Sequence, residues 1–267
     1  MGIIDAILLG LIEGLTELLP VSSTGHLILL GGLLGHEGEG AKSLDVVIQL
    51  GAVIAVAVYF RERLLTTLKG LASREAESFR LFGALTAAFV PTAIVGLLLN
   101  KWVKATLFGP IPVAGALIVG GVVMIAIERW RGPAEGAEGL SQVTVSKGFV
   151  IGLFQCLALW PGSSRSMTTI VGGKLLGLDT KTSAEFSFLL ALPTLGAATV
   201  YDFVKNGHLI LAMPSGGMVL GVGLVVSFLV TWLVVAVFLR YVGRVGLTPF
   251  GIYRVLLGAI VLYALQG

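Results

Sequence analysis

Glu13 and Glu17 stand four residues apart in the apolar run Leu11-Ile12-Glu13-Gly14-Leu15-Thr16-Glu17-Leu18-Leu19. A helix puts both carboxylates on one face, and in apolar surroundings each needs water, a cation or a hydrogen-bonding partner. Pro20 ends that helix, and Val21-Ser22-Ser23-Thr24-Gly25-His26 follows. Serine and threonine favour the start of a new helix, whose N–H groups and positive dipole end form an anion cradle. His26, one turn in, has the chemistry of a general acid, base or nucleophile. A second cluster, Pro161-Gly162-Ser163-Ser164-Arg165-Ser166, repeats hydroxyls at a helix start and adds a guanidinium whose fork suits phosphate. Thr168 and Thr169 extend the same polar surface. Together these groups favour an anion with several oxygens, which the two glutamates would repel. A divalent metal bridging carboxylate and phosphate resolves that conflict, as does one protonated glutamate working as acid or base. Either solution suits phosphoryl transfer better than simple anion binding.

The elements that must hold these residues follow from composition. Of 267 residues, 56% are hydrophobic and only 12% charged, about half the charge of a soluble domain. Such apolar content excludes disorder, and 37 glycines with no every-third period exclude collagen. Several apolar runs approach the ~20 residues that cross a bilayer, so the chain reads as an all-α polytopic membrane protein, a single integral membrane domain over 1–267. The net charge of +3 is dispersed among short loops, which argues against nucleic-acid binding. The single cysteine, Cys156, excludes an internal disulfide. The N-terminus lacks the basic segment of a signal peptide, so the first apolar stretch is expected to belong to the working protein.

Six crossings are expected, at 44–60, 81–99, 111–127, 185–201, 216–239 and 252–265. The stretches 2–19 and 148–160 each stop at a proline, enter a Ser/Thr/Gly cluster and resume as a short apolar piece. Irregular backbone at membrane depth must be buried in protein or line a wet cavity, so both read as re-entrant helical hairpins. The loops 61–80, 128–147 and 240–250 share one side and carry ten Lys/Arg, whereas the other side carries Lys42, Lys101, Lys104 and Lys205. The basic side is expected to be cytoplasmic. Both termini and the first hairpin then face outward, and the second hairpin enters from the cytoplasm.

Each half thus reads as a hairpin followed by three crossings, 1–130 and 147–267, inserted in opposite senses. Gly10-Leu11-Ile12-Glu13 through Pro20-Val21-Ser22-Ser23-Thr24 aligns with Gly152-Leu153-Phe154-Gln155 through Pro161-Gly162-Ser163-Ser164-Arg165 with a one-residue gap. Inverted-topology repeats commonly put a polar site at the midplane, where half-helix N-termini converge.

The segments Glu13-Gly14-Leu15-Thr16-Glu17 and Leu18-Leu19-Pro20-Val21-Ser22-Ser23-Thr24-Gly25-His26 resemble the first signature of the undecaprenyl-diphosphate phosphatase family, the UppP or BacA type linked to bacitracin resistance. Pro161-Gly162-Ser163-Ser164-Arg165-Ser166 resembles its second signature, and the likeness covers nearly the whole chain. The resemblance implies hydrolysis of undecaprenyl diphosphate to the monophosphate and inorganic phosphate, recycling the carrier lipid for cell-wall synthesis. It also implies the bacterial inner membrane, a site open to the outer, periplasmic face, a divalent cation (Mg or Ca) and a homodimer. Glu13 and Glu17 carry over as acid/base or metal-binding residues, and Ser22, Ser23 and Thr24 as phosphate contacts, with Ser23 the candidate nucleophile. His26 and Arg165 carry over as catalytic residues, and Ser164, Ser166 and Thr169 as phosphate-binding residues. This chain has Met167-Thr168 where the family has a small Gly-Ala-type pair, which leaves open how tightly the second hairpin packs.

On this reading Ser23 or a water, activated by Glu17 or His26, attacks the terminal phosphorus while Arg165 and the helix starts hold the diphosphate. The competing reading is a secondary transporter or lipid flippase for an anionic or phosphorylated substrate, whose architecture an inverted repeat also suits. Tyr253-Arg254 reads as an interfacial anchor of the last crossing, and Asp202 as a solvated crossing end. His36 and His208 are expected in loops with no role.

Overall fold

Prolines and small residues decide where the apolar runs break. In the computed structural model, which describes residues 1–35, 38–132 and 139–265, the first run forms α1 (Ile3–Thr16). Pro20 has no N–H to give the Thr16 carbonyl, and its ring crowds that turn, so the helix stops at Thr16 rather than reaching the proline. The chain turns through Ser22 and restarts as α2 (Ser23–Leu33). Next come α3 (Glu39–Val47) and α4 (Gln49–Tyr59), one 21-residue span joined through Ile48. The stretch expected as the loop 61–80 contains a helix, α5 (Arg61–Ala72), which leads into the long α6 (Ala76–Thr106) and then α7 (Pro110–Arg131).

The second half opens with α8 (Val145–Cys156), a 3₁₀ turn at Leu157–Leu159 and the Pro161-Gly162 break, followed by α9 (Arg165–Leu175). It closes with α10 (Thr180–Ala212), α11 (Gly216–Val245) and α12 (Thr248–Ala264). The described residues contain no strand.

Five helical stretches are long and apolar enough to cross a membrane: Glu39–Tyr59, Ala76–Leu99, Pro110–Arg131, Thr180–Ala212 and Gly216–Val245. They coincide with five of the six expected crossings. The sixth falls on α12, whose 17 residues extend about 25 Å against a hydrocarbon core of about 30 Å. α10 outruns its expected crossing because Asp202 is not a solvated end. The residue is half-buried inside the helix, accepting hydrogen bonds from Ser43 Oγ and, at 2.8 Å, from Asn206 Nδ2. His208 is likewise helical, on the exposed side of α10; His36 lies outside the described residues.

Glycines let the hairpin helices reach neighbouring backbones. α1 packs on α11, where a Cβ on Gly14 would stand 2.7 Å from Val230 Cβ and 3.0 Å from the Ser227 carbonyl. α8 packs on α6 in the same way, with the Ala88 backbone occupying the space a Gly152 side chain would need. Close approach of this kind is how small residues strengthen helix contacts in lipid. α9 is buried along nearly its whole length, Met167 and Thr168 included. Room for the methionine comes from Gly120 on α7, where a Cβ would lie 2.9 Å from Met167 Cε. The end of α9 is tied by Lys174, 2% exposed, whose ammonium lies 2.8 Å from Glu128 and donates to Thr180 Oγ1 at 2.7 Å.

Candidate active site

Two helix starts meet at the centre of this arrangement. Ser22 and Ser164 are the residues preceding α2 and α9, and both sit at positive φ, 73° and 70°. Each hydroxyl accepts a hydrogen bond from the backbone N–H three residues on, Gly25 and Met167, both at 3.2 Å. Positive φ is uncommon for a residue with a side chain, and here the same conformation recurs at both breaks. The geometric match pairs Ser22 with Ser164, one residue out of register with the sequence alignment of the prolines.

Ser23 opens α2 with its hydroxyl donated to Glu17 Oε2 at 2.5 Å. The other carboxylate oxygen of Glu17 lies 3.3 Å from Arg165 Nη2, in an ion pair whose side chains are 5% and 10% exposed. Arg165 Nη1 donates to the Ser187 carbonyl at 2.9 Å and to Ser187 Oγ at 3.2 Å, while its Nε is buried without a partner. Hydroxyl, carboxylate and guanidinium are thus held in series, with the Arg165 Nε–H left unpartnered. Removing one member of so buried an ion pair leaves an uncompensated charge, a loss of about 3–5 kcal/mol.

These groups form the floor of a cavity of about 520 Å³. Of the expected site residues, Glu17, Ser22, Ser23, Thr24, Ser164 and Arg165 line it. Its walls are mainly apolar, from α6, α8 and α10, and it is bounded where Leu97 (76% exposed) and Tyr201 (55% exposed) reach the surface. A second cavity of about 320 Å³ shares Thr24, Gly96, Leu159 and Pro161 and continues toward Val103 and Phe108.

Four expected residues do not line this cavity. Ser166 donates its hydroxyl to the Leu19 carbonyl at 2.8 Å and is approached by Ser164 Oγ at 3.0 Å, which stitches the two breaks together. Thr169 Oγ1 lies 2.7 Å from Ser187 Oγ and so backs the arginine's partner. His26 has both ring nitrogens engaged: Nδ1 with the Ser22 carbonyl at 2.7 Å, Nε2 with the Tyr253 hydroxyl at 2.6 Å. A carbonyl can only accept, so Nδ1 carries the proton and Nε2 accepts from the phenol in the neutral ring.

Glu13 lies one turn before Glu17, fully buried, with neither carboxylate oxygen hydrogen-bonded and with Glu17, Asp45 and Arg165 as its charged neighbours. Among the described residues no group of three or more His, Cys, Asp or Glu is gathered closely enough to hold an ion. One or two carboxylates completed by substrate phosphate is a common donor set for magnesium, and Glu13 with Glu17 fits that set rather than an all-protein cage.

Two residues matter more here than their sequence context suggested. Arg254 is not an interfacial anchor; it is completely buried and donates to four backbone carbonyls. Ala116 and Leu117 on α7 accept at 3.0 and 3.4 Å, Pro20 at the first break at 3.3 Å and Gly162 at the second at 2.9 Å. One guanidinium therefore holds both breaks against α7. Its neighbour Tyr253 stacks on His26 at 5.7 Å between ring centroids. An arginine in an otherwise apolar run with no acidic residue near it was the available signal.

The model of the family described as bacitracin resistance protein BacA matches residues 6–260. A protein named undecaprenyl-diphosphatase from Sorangium cellulosum is 63% identical over 97% of this chain and 85% of its own length. One of the same name from Persephonella marina is 47% identical over 98% of both chains. Another, from Wolinella succinogenes, is 46% identical over 100% of this chain and 99% of its own.

Proposed function

The chain belongs to the BacA family, and from that membership and the cavity floor we propose that it hydrolyses undecaprenyl diphosphate to undecaprenyl phosphate and inorganic phosphate. It is a multi-pass membrane phosphatase that returns carrier lipid to cell-wall synthesis. The observation that carries the mechanism is the 2.5 Å hydrogen bond from Ser23 Oγ to Glu17 Oε2, with Arg165 on the other carboxylate oxygen. A hydroxyl paired with a base in this way is an activated nucleophile.

Arg165 Nε and the starts of α2 and α9 take the diphosphate oxygens, which is the electrostatic stabilisation that phosphoryl transfer chiefly needs. Glu17 takes the Ser23 proton as Oγ bonds to the terminal phosphorus. The bond from that phosphorus to the bridging oxygen breaks, and the lipid monophosphate departs with the proton. Water then returns the phosphoserine to serine. Glu13, with Glu17 beside it, would hold a divalent cation, which when bound supplies positive charge against the diphosphate oxygens. His26 acts by position, holding the Ser22 carbonyl where α2 begins. The polyprenyl tail leaves through the apolar side between Leu97 and Tyr201.

The finer architecture belongs to the same proposal: six crossings with α12 as the sixth, hairpins α1–α2 and α8–α9, and halves 1–130 and 147–267 inverted in the inner membrane. The matching Ser22 and Ser164 conformations support it. So does the exchange of partners between halves, α1 on α11 and α8 on α6. The basic loops face the cytoplasm and the cavity faces the periplasm, in a homodimer. A transporter or flippase needs no nucleophile–base pair, and Ser23–Glu17 favours the enzyme. Phosphate release from a prenyl diphosphate in detergent tests the reading. Glu17→Gln and Arg165→Ala are each expected to slow release by at least about a hundredfold; variants as fast as wild type would remove these residues from the mechanism.

A further inference from the structure

The cavity wall carries a second engaged polar side chain, on the opposite hairpin from the nucleophile. Gln155 on α8 is completely buried, at the position aligned with Glu13 in the other half. Its Nε2 donates to Thr92 Oγ1 at 2.9 Å and to the Ala88 carbonyl at 3.5 Å. Thr92 gives its own proton to the Gly152 carbonyl at 3.2 Å, so toward Gln155 it can only accept. That fixes which way the amide is turned. Oε1 is left buried without a hydrogen-bond partner, and Gln155 lines the same cavity as Glu17, Ser23, Ser164 and Arg165.

An open acceptor is out of character with a floor built to donate to phosphate. The ionised diphosphate cannot fill it, because its oxygens are acceptors too. The reaction has one other reactant, water, and water brings protons. We propose that Gln155 Oε1 binds and orients the water that hydrolyses the phosphoserine. Nucleotide hydrolases use a glutamine amide in the same capacity, and a neutral amide aims a water without becoming its base. The water oxygen bonds to phosphorus, the bond from phosphorus to Ser23 Oγ breaks, and one water proton passes through Glu17 to Oγ while the other stays on phosphate. Gln155 ends the step as it began. The proposal rests on the phosphatase reading above and adds a positioning residue to it.

The test follows wild type, Gln155→Met and Gln155→Asn on farnesyl diphosphate labelled in its terminal phosphate. Steady-state release and label trapped on protein after a rapid acid quench are measured together. Methionine removes the acceptor at similar size; asparagine keeps the amide but withdraws its oxygen by one methylene, and serves if the first variant does not assemble. Release is expected to slow by roughly a hundredfold with KM falling in parallel and kcat/KM unchanged, and with near-stoichiometric label accumulating on Ser23. Unchanged release, or slower release with raised KM and no trapped label, would overturn the assignment. Wild-type protein that releases no phosphate at all would instead remove the phosphatase reading on which it rests.

Discussion

Ser23, Glu17 and Arg165 form a chain in which each member sets the state of the next, so their substitutions should behave as a unit rather than add. The same logic separates His26 from them. Its ring contacts Ser22 and Tyr253, not Glu17 or Ser23. A positioning role predicts that Tyr253→Phe and His26→Ala are non-additive, the double variant being no slower than His26→Ala alone, because both break one contact. Phosphate-release rates for the two singles and the double check it; full additivity would give His26 a role independent of Tyr253. At this scale, residue type singled out Glu17, Ser22, Ser23, Thr24, Ser164 and Arg165, which line one cavity. It failed for Arg254, whose partners are carbonyls contributed by three separate segments, and main-chain oxygens leave no mark on a sequence. It passed over Gln155 for a related reason, since an unfilled acceptor is visible only once its neighbours are known.

The helices show the complementary pattern. Both breaks were legible, because proline followed by hydroxyl residues stops one helix and starts another wherever it occurs. Lengths were less so: α10 continues past its apolar segment because Asp202 is satisfied by Asn206 four residues on and by Ser43 across 159 positions. What holds the broken elements in register is Arg254. Arg254→Met would leave carbonyls at Pro20, Gly162, Ala116 and Leu117 without their donor. It is expected to lower stability in detergent by about 3 kcal/mol or more, read as a fall in the midpoint of thermal unfolding. Arg254→Lys should recover only part of this, since an ammonium lacks the planar fork. Equal midpoints for all three proteins would mean the breaks are held by the stitches of Ser166 and Ser164 alone.

For the molecule as a whole, the distribution of charge decides orientation. Ten basic residues fall in the segments 61–80, 128–147 and 240–250, the first of which contains α5, and the proposed orientation puts all three in the cytoplasm. With Cys156 replaced, a single cysteine at Lys69 should react with an impermeant maleimide only after the cytoplasmic face is opened, whereas one at Lys205 should react in intact cells. The reverse pattern would invert the molecule and move the cavity to the cytoplasm. The breaks after α1 and α8 meet at one centre, an arrangement that local patterning could suggest but only long-range packing of α1 on α11 and α8 on α6 could fix.

The tether at Arg254 also has a consequence in time. It contacts Gly162 across 92 positions and Pro20 across 234, so during synthesis both breaks exist before the residue that joins them. At about 5–20 residues per second, the nascent protein passes several seconds with both breaks made and only the Ser166 and Ser164 hydroxyls to stitch them. The guanidinium clasp on Pro20 and Gly162 closes only when α12 docks.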